Sequence, residues 1–173
     1  MLGVMHPTTP KRLGRFAETH RQVGAICWAA THLELQLMDA VAELARSQHV
    51  QVLVQGERGS TLIRWIERML KDRVVDIEAA TELATLTKQA SRLLEDRDEV
   101  VHSVWLFTNQ TPPGHVSGTR TRRSGTAQRE WHPDDLEQLR QGLEDLELDL
   151  SIAVHNALAE EQGNARMPRR GEV

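Results

Sequence analysis

Residues 134–157 read DDLEQLRQGLEDLELDLSIAVHNA, and this stretch decides the fold class. Leu136, Leu139, Leu143, Leu146, Leu150, Ala153 and Ala157 recur at alternating intervals of three and four, the spacing that returns a side chain to one side of a helix. Charged and amide residues fill the gaps between them, so the opposite side faces water. Asp134 followed by Glu137 forms a capping-box-like start. An amphipathic helix of this length is stable only when its apolar stripe is covered.

The rest of the chain supplies covers of the same kind. Thr9 and Pro10 read as an N-cap and a first-turn proline, opening a helix expected to run to about Ser47 with Leu13, Phe16, His20, Val23, Cys27, Ala30, Leu37, Val41 and Leu44 inward. The pattern breaks from His49 to Gly59, a connector. Ser60 caps a short second helix with Leu62, Ile66, Met69 and Leu70 inward, ending near Arg73. Asp76 caps a third, whose stripe Ala80, Leu83, Thr87, Ala90, Leu94, Arg97, Val101 and Val104 continues to about Trp105. From Phe107 to Trp131 the composition shifts to Thr, Gly, Pro, Ser and Arg, with a turn at Pro112-Pro113-Gly114 and room for a β-hairpin or a flap. The fold class expected is all-α: an antiparallel four-helix bundle with a long loop or β-hairpin before the last helix. The 173 residues make one domain, with disordered ends at about 1–8 and 163–173.

Composition narrows the function classes. Cys27 is the only cysteine, so no intramolecular disulfide can form and a reducing compartment is expected. The first twenty residues hold no apolar run of signal-peptide or membrane-span length, which points to a soluble, cytoplasmic protein with no membrane partner. A net charge of −4 argues against indiscriminate nucleic-acid binding. A local basic run exists nevertheless. Arg120, Arg122, Arg123 and Arg129 are uninterrupted by any acid and read either as a phosphate-attracting flap or as a solvated loop. Trp105 and Trp131 bracket that run and are placed to stack on bases; Trp28 and Trp65 sit on helix faces and read as core.

The segment Arg97-Asp98-Glu99-Val100-Val101-His102-Ser103-Val104-Trp105 carries the chemistry. An arginine and a histidine stand five positions apart, with a polar residue directly after the arginine and an aromatic soon after the histidine. Chance supplies about one such Arg–His spacing in a chain of this composition, and Arg15 with His20 is a second instance. Only the pair Arg97 and His102 has the polar neighbour, the aromatic and the Arg-rich loop beside it. This context resembles the R-x4-H signature of the HEPN superfamily, helical-bundle proteins many of which are metal-independent ribonucleases acting as dimers. The resemblance covers these nine residues closely and the stretch Trp28 to Leu37 more loosely. It implies a homodimeric endoribonuclease that needs no cofactor and no metal, a toxin or defence effector with an antitoxin or defence partner, and a catalytic set of Arg97, His102 and Asp98. Many members carry asparagine where this chain has Asp98.

Helical geometry adds its own reading. Arg97 points inward, while Asp98 and His102, four apart, share a shoulder on which the carboxylate can orient the imidazole. Glu34 falls in the apolar sector of the first helix, where an unpaired carboxylate is costly, and Arg97 is its expected partner. RNA cleavage without metal needs a base for the 2′-hydroxyl, an acid for the leaving oxygen and a cation on the phosphate. One histidine supplies too few of these, and a two-fold dimer would bring two copies to one cleft.

Three other readings stand beside this one. Glu34 and Arg97 serve equally as an ion pair fixing the first helix against the third, without catalytic duty. The same cleft suits a non-catalytic dimeric module that binds a nucleotide or a protein partner. A metal-binding helical bundle rests on Glu99 and His102 as a single Glu-x-x-His pair with Glu34, where ferritin-like sites use two such pairs.

Overall fold

A computed structural model of the chain describes residues 10–72, 77–106, 116–122 and 125–171, with the backbone alone at 10–16, 106, 116–122, 125–128 and 160–162. The fold class is all-α. Five helices, α1 (Pro10–Ala45), α2 (Gln48–Leu53), α3 (Gly59–Asp72), α4 (Ile77–Val101) and α5 (Pro133–Gln162), pack together, and a small sheet of β1 (Val104–Leu106), β2 (Val116–Arg122) and β3 (Gly125–Trp131) precedes α5. The expected landmarks Thr9, Asp76, Phe107, Pro112, Pro113, Gly114 and Arg123 lie outside the described residues. Among the described residues no helix is long and apolar enough to cross a membrane.

The leucine stripe of α5 is the centre of the core. Leu136, Leu139, Leu143, Leu146, Leu150, Ala153, Val154 and Leu158 are buried, against Ile26, Ala30, Leu33, Leu37 and Val41 of α1 and Leu83, Ala90 and Leu94 of α4. Ala157 is only half-buried, because Val154 and Leu158 take the inward line beyond Ala153. On α1 the buried line differs from the expected stripe: Ile26, Leu33 and Ala40 are fully buried, whereas His20 is exposed and Cys27 half-buried. The physical reason is that α1 packs against α3, α4 and α5 together, which widens its buried sector beyond a single stripe. The side chains of Leu13 and Phe16 lie outside the described residues.

Helix ends are set by local chemistry. At the start of α5, the His132 backbone N–H donates to Asp135 Oδ2 at 2.7 Å and the Asp135 N–H donates to the His132 carbonyl at 2.9 Å. The cap is thus His132, whose N–H is held by the Asp135 carboxylate and whose ring Nδ1 accepts from the Asp134 N–H at 3.4 Å, two residues before the expected Asp134 with Glu137, because Pro133 is suited to the first helical position. At the end of α1, Arg46 takes a left-handed conformation (φ 52°), and the Ser47 N–H reaches the Ala42 carbonyl at 3.2 Å. This Schellman-type stop reverses the chain. The expected connector then contains α2, tied to α1 where Gln51 Nε2 donates to Asp39 Oδ1 at 2.8 Å.

The helix directions correct the expectation of antiparallel neighbours throughout. Along α1 and α5, Arg21 faces Glu137, His32 lies 3.8 Å from Glu147, and Glu43 faces His155, so the two helices run in the same direction. α4 opposes α5, since Leu93 lies against Gly142 and Ala79 shares a surface cleft with Asn156. α2 makes this possible by carrying the chain back alongside α1 before α3 begins.

Two further expectations change. α4 stops at Val101 rather than near Trp105: the Ser103 hydroxyl donates to the Glu99 carbonyl at 2.6 Å, and Val104 and Trp105, residue types that favour strands, enter β1. Val104, expected inward on a helix, is exposed. The three strands are antiparallel in the order β1-β2-β3, with Trp105 opposite Gly118 and Gly118 opposite Arg129. The tail from Gly163 to Gly171, expected to be disordered, folds back on the helices through the contacts of Met167, Arg169 and Arg170. Its arginines find carboxylates on α4 and α5 that no sequence spacing connects to them.

Because Leu146 is fully buried in the central seam, Leu146→Ala should lower stability by about 2–5 kcal/mol, read as a shift of the urea midpoint without loss of cooperativity.

Candidate functional site

Three helices converge on one ion pair. Glu34 projects from the middle of α1 and Arg97 from the last turns of α4, and Arg97 Nη2 donates to Glu34 Oε1 at 2.9 Å. The start of α3 closes over them. There the Arg58 carbonyl accepts from the Thr61 and Leu62 N–H groups at 2.8 and 3.1 Å, and Gly59 is the first helical residue. A Cβ on Gly59 would lie 2.5 Å from Leu94 Cδ1 and 3.3 Å from Glu34 Oε1, so any larger residue there makes the ends of those side chains shift.

The pair is not deeply buried. Arg97 and Glu34 retain 23% and 30% of their side-chain exposure, so water screens their attraction and the interaction is worth less than that of a fully enclosed pair. Arg97 Nε, itself out of contact with solvent, lies 3.2 Å from Asp98 Oδ1 without hydrogen-bond alignment. Asp98 therefore neutralises Arg97. No hydrogen bond from its carboxylate to the His102 ring is seen, contrary to the orienting role its spacing suggested; only the backbones meet, His102 N–H to the Asp98 carbonyl at 3.1 Å. The Arg97 guanidinium holds the carboxylate instead.

Glu34, Arg58, Ser60, Arg97, Asp98 and His102 line a cleft of about 510 Å3 with Leu94 in its wall. His102 is exposed at the end of α4, and among the described residues its ring makes no hydrogen bond or ion pair. Arg58 is also exposed and, among the described residues, has no carboxylate partner. Sequence reading missed Arg58. Its only local signal is its place before Gly59 and Ser60 at a helix start, and no spacing relates it to Arg97. The cleft sets three carboxylates, Glu34, Glu95 and Asp98, against the two guanidiniums of Arg58 and Arg97, so Arg58, which has no carboxylate partner among the described residues, is the cation open to a phosphate.

The Arg-rich segment is used differently from the expectation. Arg129 Nη1 donates to Asp96 Oδ1 at 2.7 Å and to Glu99 Oε2 at 3.1 Å, and its guanidinium stacks 3.9 Å from the centroid of the Trp131 ring. Burial alone would lower the Arg129 pKa, but the Asp96 and Glu99 carboxylates outweigh it and hold the group above its ordinary value. Trp131 is 2% exposed. Trp131 is not presented to a nucleic acid as expected, and Arg129, though exposed, has its guanidinium held by two carboxylates; together they fasten β3 to α4. Trp105 is half-buried against the core. Arg120 and Arg122 stand on β2 opposite Ala127 and Gly125, and their side chains, like all of Arg123, lie outside the described residues.

Glu99, the carboxylate of the Glu-x-x-His pair, is engaged by Arg129. Among the described residues no three His, Cys, Asp or Glu side chains come together as a metal site. The chain matches no known protein family, no curated protein and no solved structure.

Arg97→Ala should lower stability by about 1–2 kcal/mol, less than a fully buried pair would lose, because both partners keep contact with water. A double-mutant cycle with Glu34→Gln, measured by urea unfolding, should return a coupling of about 1 kcal/mol.

Proposed function

We propose that the chain is a metal-independent endoribonuclease of HEPN type whose reaction takes place in the cleft between α3 and the end of α4. The observation that carries this reading is the meeting of Arg97, Asp98 and His102 with an additional cation, Arg58, around one open cleft. In this mechanism the RNA phosphate lies against Arg58 and the rim of Arg97. His102, exposed and among the described residues without a competing partner, transfers a proton to or from the reacting ribose or the leaving oxygen. Glu34 and Asp98 fix the Arg97 guanidinium and do not touch the substrate. One imidazole performs one proton transfer at a time, so the complete centre is assigned to a homodimer with two copies of His102 facing a shared cleft. A cytoplasmic toxin or defence effector held in check by an antitoxin is the biological setting this activity suits.

A second reading is favoured by a specific observation: Arg97 already holds two carboxylates, which a phosphate would have to share. On that reading the chain is a non-catalytic dimeric module binding a nucleotide or a protein partner through the same cleft.

The ribonuclease reading predicts cleavage of single-stranded RNA in the presence of a chelator, with 2′,3′-cyclic phosphate ends and no action on DNA, which lacks the attacking hydroxyl. His102→Ala should lower the rate by about 10²-fold or more while leaving the thermal melt nearly unchanged, because the side chain is exposed. Purified wild-type protein that cleaves no RNA, yet binds a nucleotide or partner in a manner sensitive to Arg58→Ala, would replace this reading with the second.

A further inference from the structure

The segment after α5 is bound to the rest of the chain as a separate peptide would be. α5 is closed by Gly163, the residue after its end, which has a positive φ of 68°, and the Asn164 N–H reaches the Ala159 carbonyl at 2.9 Å. Beyond this turn the segment lies along α4 and α5. Asn156 on α5 grips one residue of it at both main-chain groups: its Nδ2 donates to the Met167 carbonyl at 3.0 Å, and its Oδ1 accepts from the Met167 N–H at 2.7 Å. His155 Nε2 lies 3.1 Å from the Ala165 carbonyl. Arg169 Nη2 is shared by Glu78 and Glu82 of α4, at 3.1 and 3.0 Å, and Arg170 Nη1 reaches Asp145 of α5 at 2.5 Å.

These contacts divide the labour of peptide recognition. Asn156 and His155 read the main chain and accept any side chain there. Glu78 and Glu82 read one arginine, and Asp145 reads the next. None of the contacts depends on the segment's being covalently joined to α5. The ion pairs are also exposed, with side-chain exposures of 43% for Arg169 and 50% for Arg170, so each contributes little and the segment can leave.

We propose that the α4–α5 groove is a docking site for an extended peptide with two adjacent arginines, carried by a partner protein, and that residues 165–170 are its resident competitor. The inference is independent of the ribonuclease reading. Glu82 and Arg97 lie fifteen residues apart on α4, about 22 Å along the helix, so a docked partner leaves the cleft open. The resident segment lowers the groove's apparent affinity for a partner in proportion to the time it spends docked.

The test uses the full-length chain and a fluorescent peptide of residues 164–171. Arg169→Glu/Arg170→Glu should vacate the groove without disturbing the core, since both side chains lie at the surface. The peptide should bind this variant at least about tenfold more tightly than it binds wild type. Adding Asn156→Ala should weaken that binding by about tenfold, the scale of two lost main-chain hydrogen bonds. Failure of the peptide to bind the vacated variant overturns the proposal, as does equal binding to wild type and variant. Binding unaffected by Asn156→Ala would reduce it to nonspecific charge attraction and overturn it too. Concentration-dependent dimers of wild type that disappear in the arginine variant would assign the groove to the tail of a second copy instead of a partner.

Discussion

The seam along α5 is the constraint from which the other features follow. Its leucines are each worth about 2 kcal/mol when removed from water, and six of them are buried in one helix, whereas the exposed ion pairs on the same molecule are each worth about 1 kcal/mol or less. Burial therefore decides which helices touch, and charge adjusts where they stop. α1 and α4 cover the seam from two sides, and α3 completes the enclosure by packing on both. Trp131 of the small sheet is buried in this core and Trp105 packs against it, which ties β3 and β1 to the helices.

The cleft owes its position to that packing. Glu34 and Arg97 meet because α1 and α4 are already held by their apolar faces, and Gly59 can close over them because it has no side chain. The pair then acts as a fixed point for the last turns of α4, from which Asp98 and His102 extend. Arg129 supplies a second fixed point on the same stretch by binding Asp96 and Glu99. Residues 96–102 are thus held from two sides while the His102 ring itself stays open to solvent. Side chains held on a rigid support keep a fixed geometry, which a catalytic site and a recognition surface both need.

The helices were legible wherever one periodicity ran unbroken, as in α5 and the middle of α4. They were less so where a helix serves several neighbours: α1 packs against α2, α3, α4 and α5, and its buried sector is wider than any single stripe reveals. Ends depended on short-range chemistry that competes with periodicity, as when Pro133 moved the start of α5 and Ser103 ended α4 before Trp105. The pairing of Glu34 with Arg97 could be inferred because both interrupt apolar stripes and each needs an opposite charge. Arg58 could not, since its nearness to His102 arises from the path of α2 and the connector, a tertiary fact without a local signature. The fates of Arg129 and Trp131 were hidden for a similar reason: a cation beside a flexible-looking loop gives no sign that carboxylates on another element will capture it.

The parallel course of α1 and α5 has a consequence for how the chain acquires its structure. These are the first and last helices, and they share the largest part of the core, so the principal contacts join residues at the greatest sequence separation. Such contacts form late and slowly, because the loop between them must close before any burial compensates the lost entropy. During synthesis the apolar face of α1 waits, uncovered by its main partner, until α5 has left the ribosome. Through that interval α3 and α4, by packing against it, are the available shields, and mutations that weaken them should lower the yield of folded protein as well as its final stability.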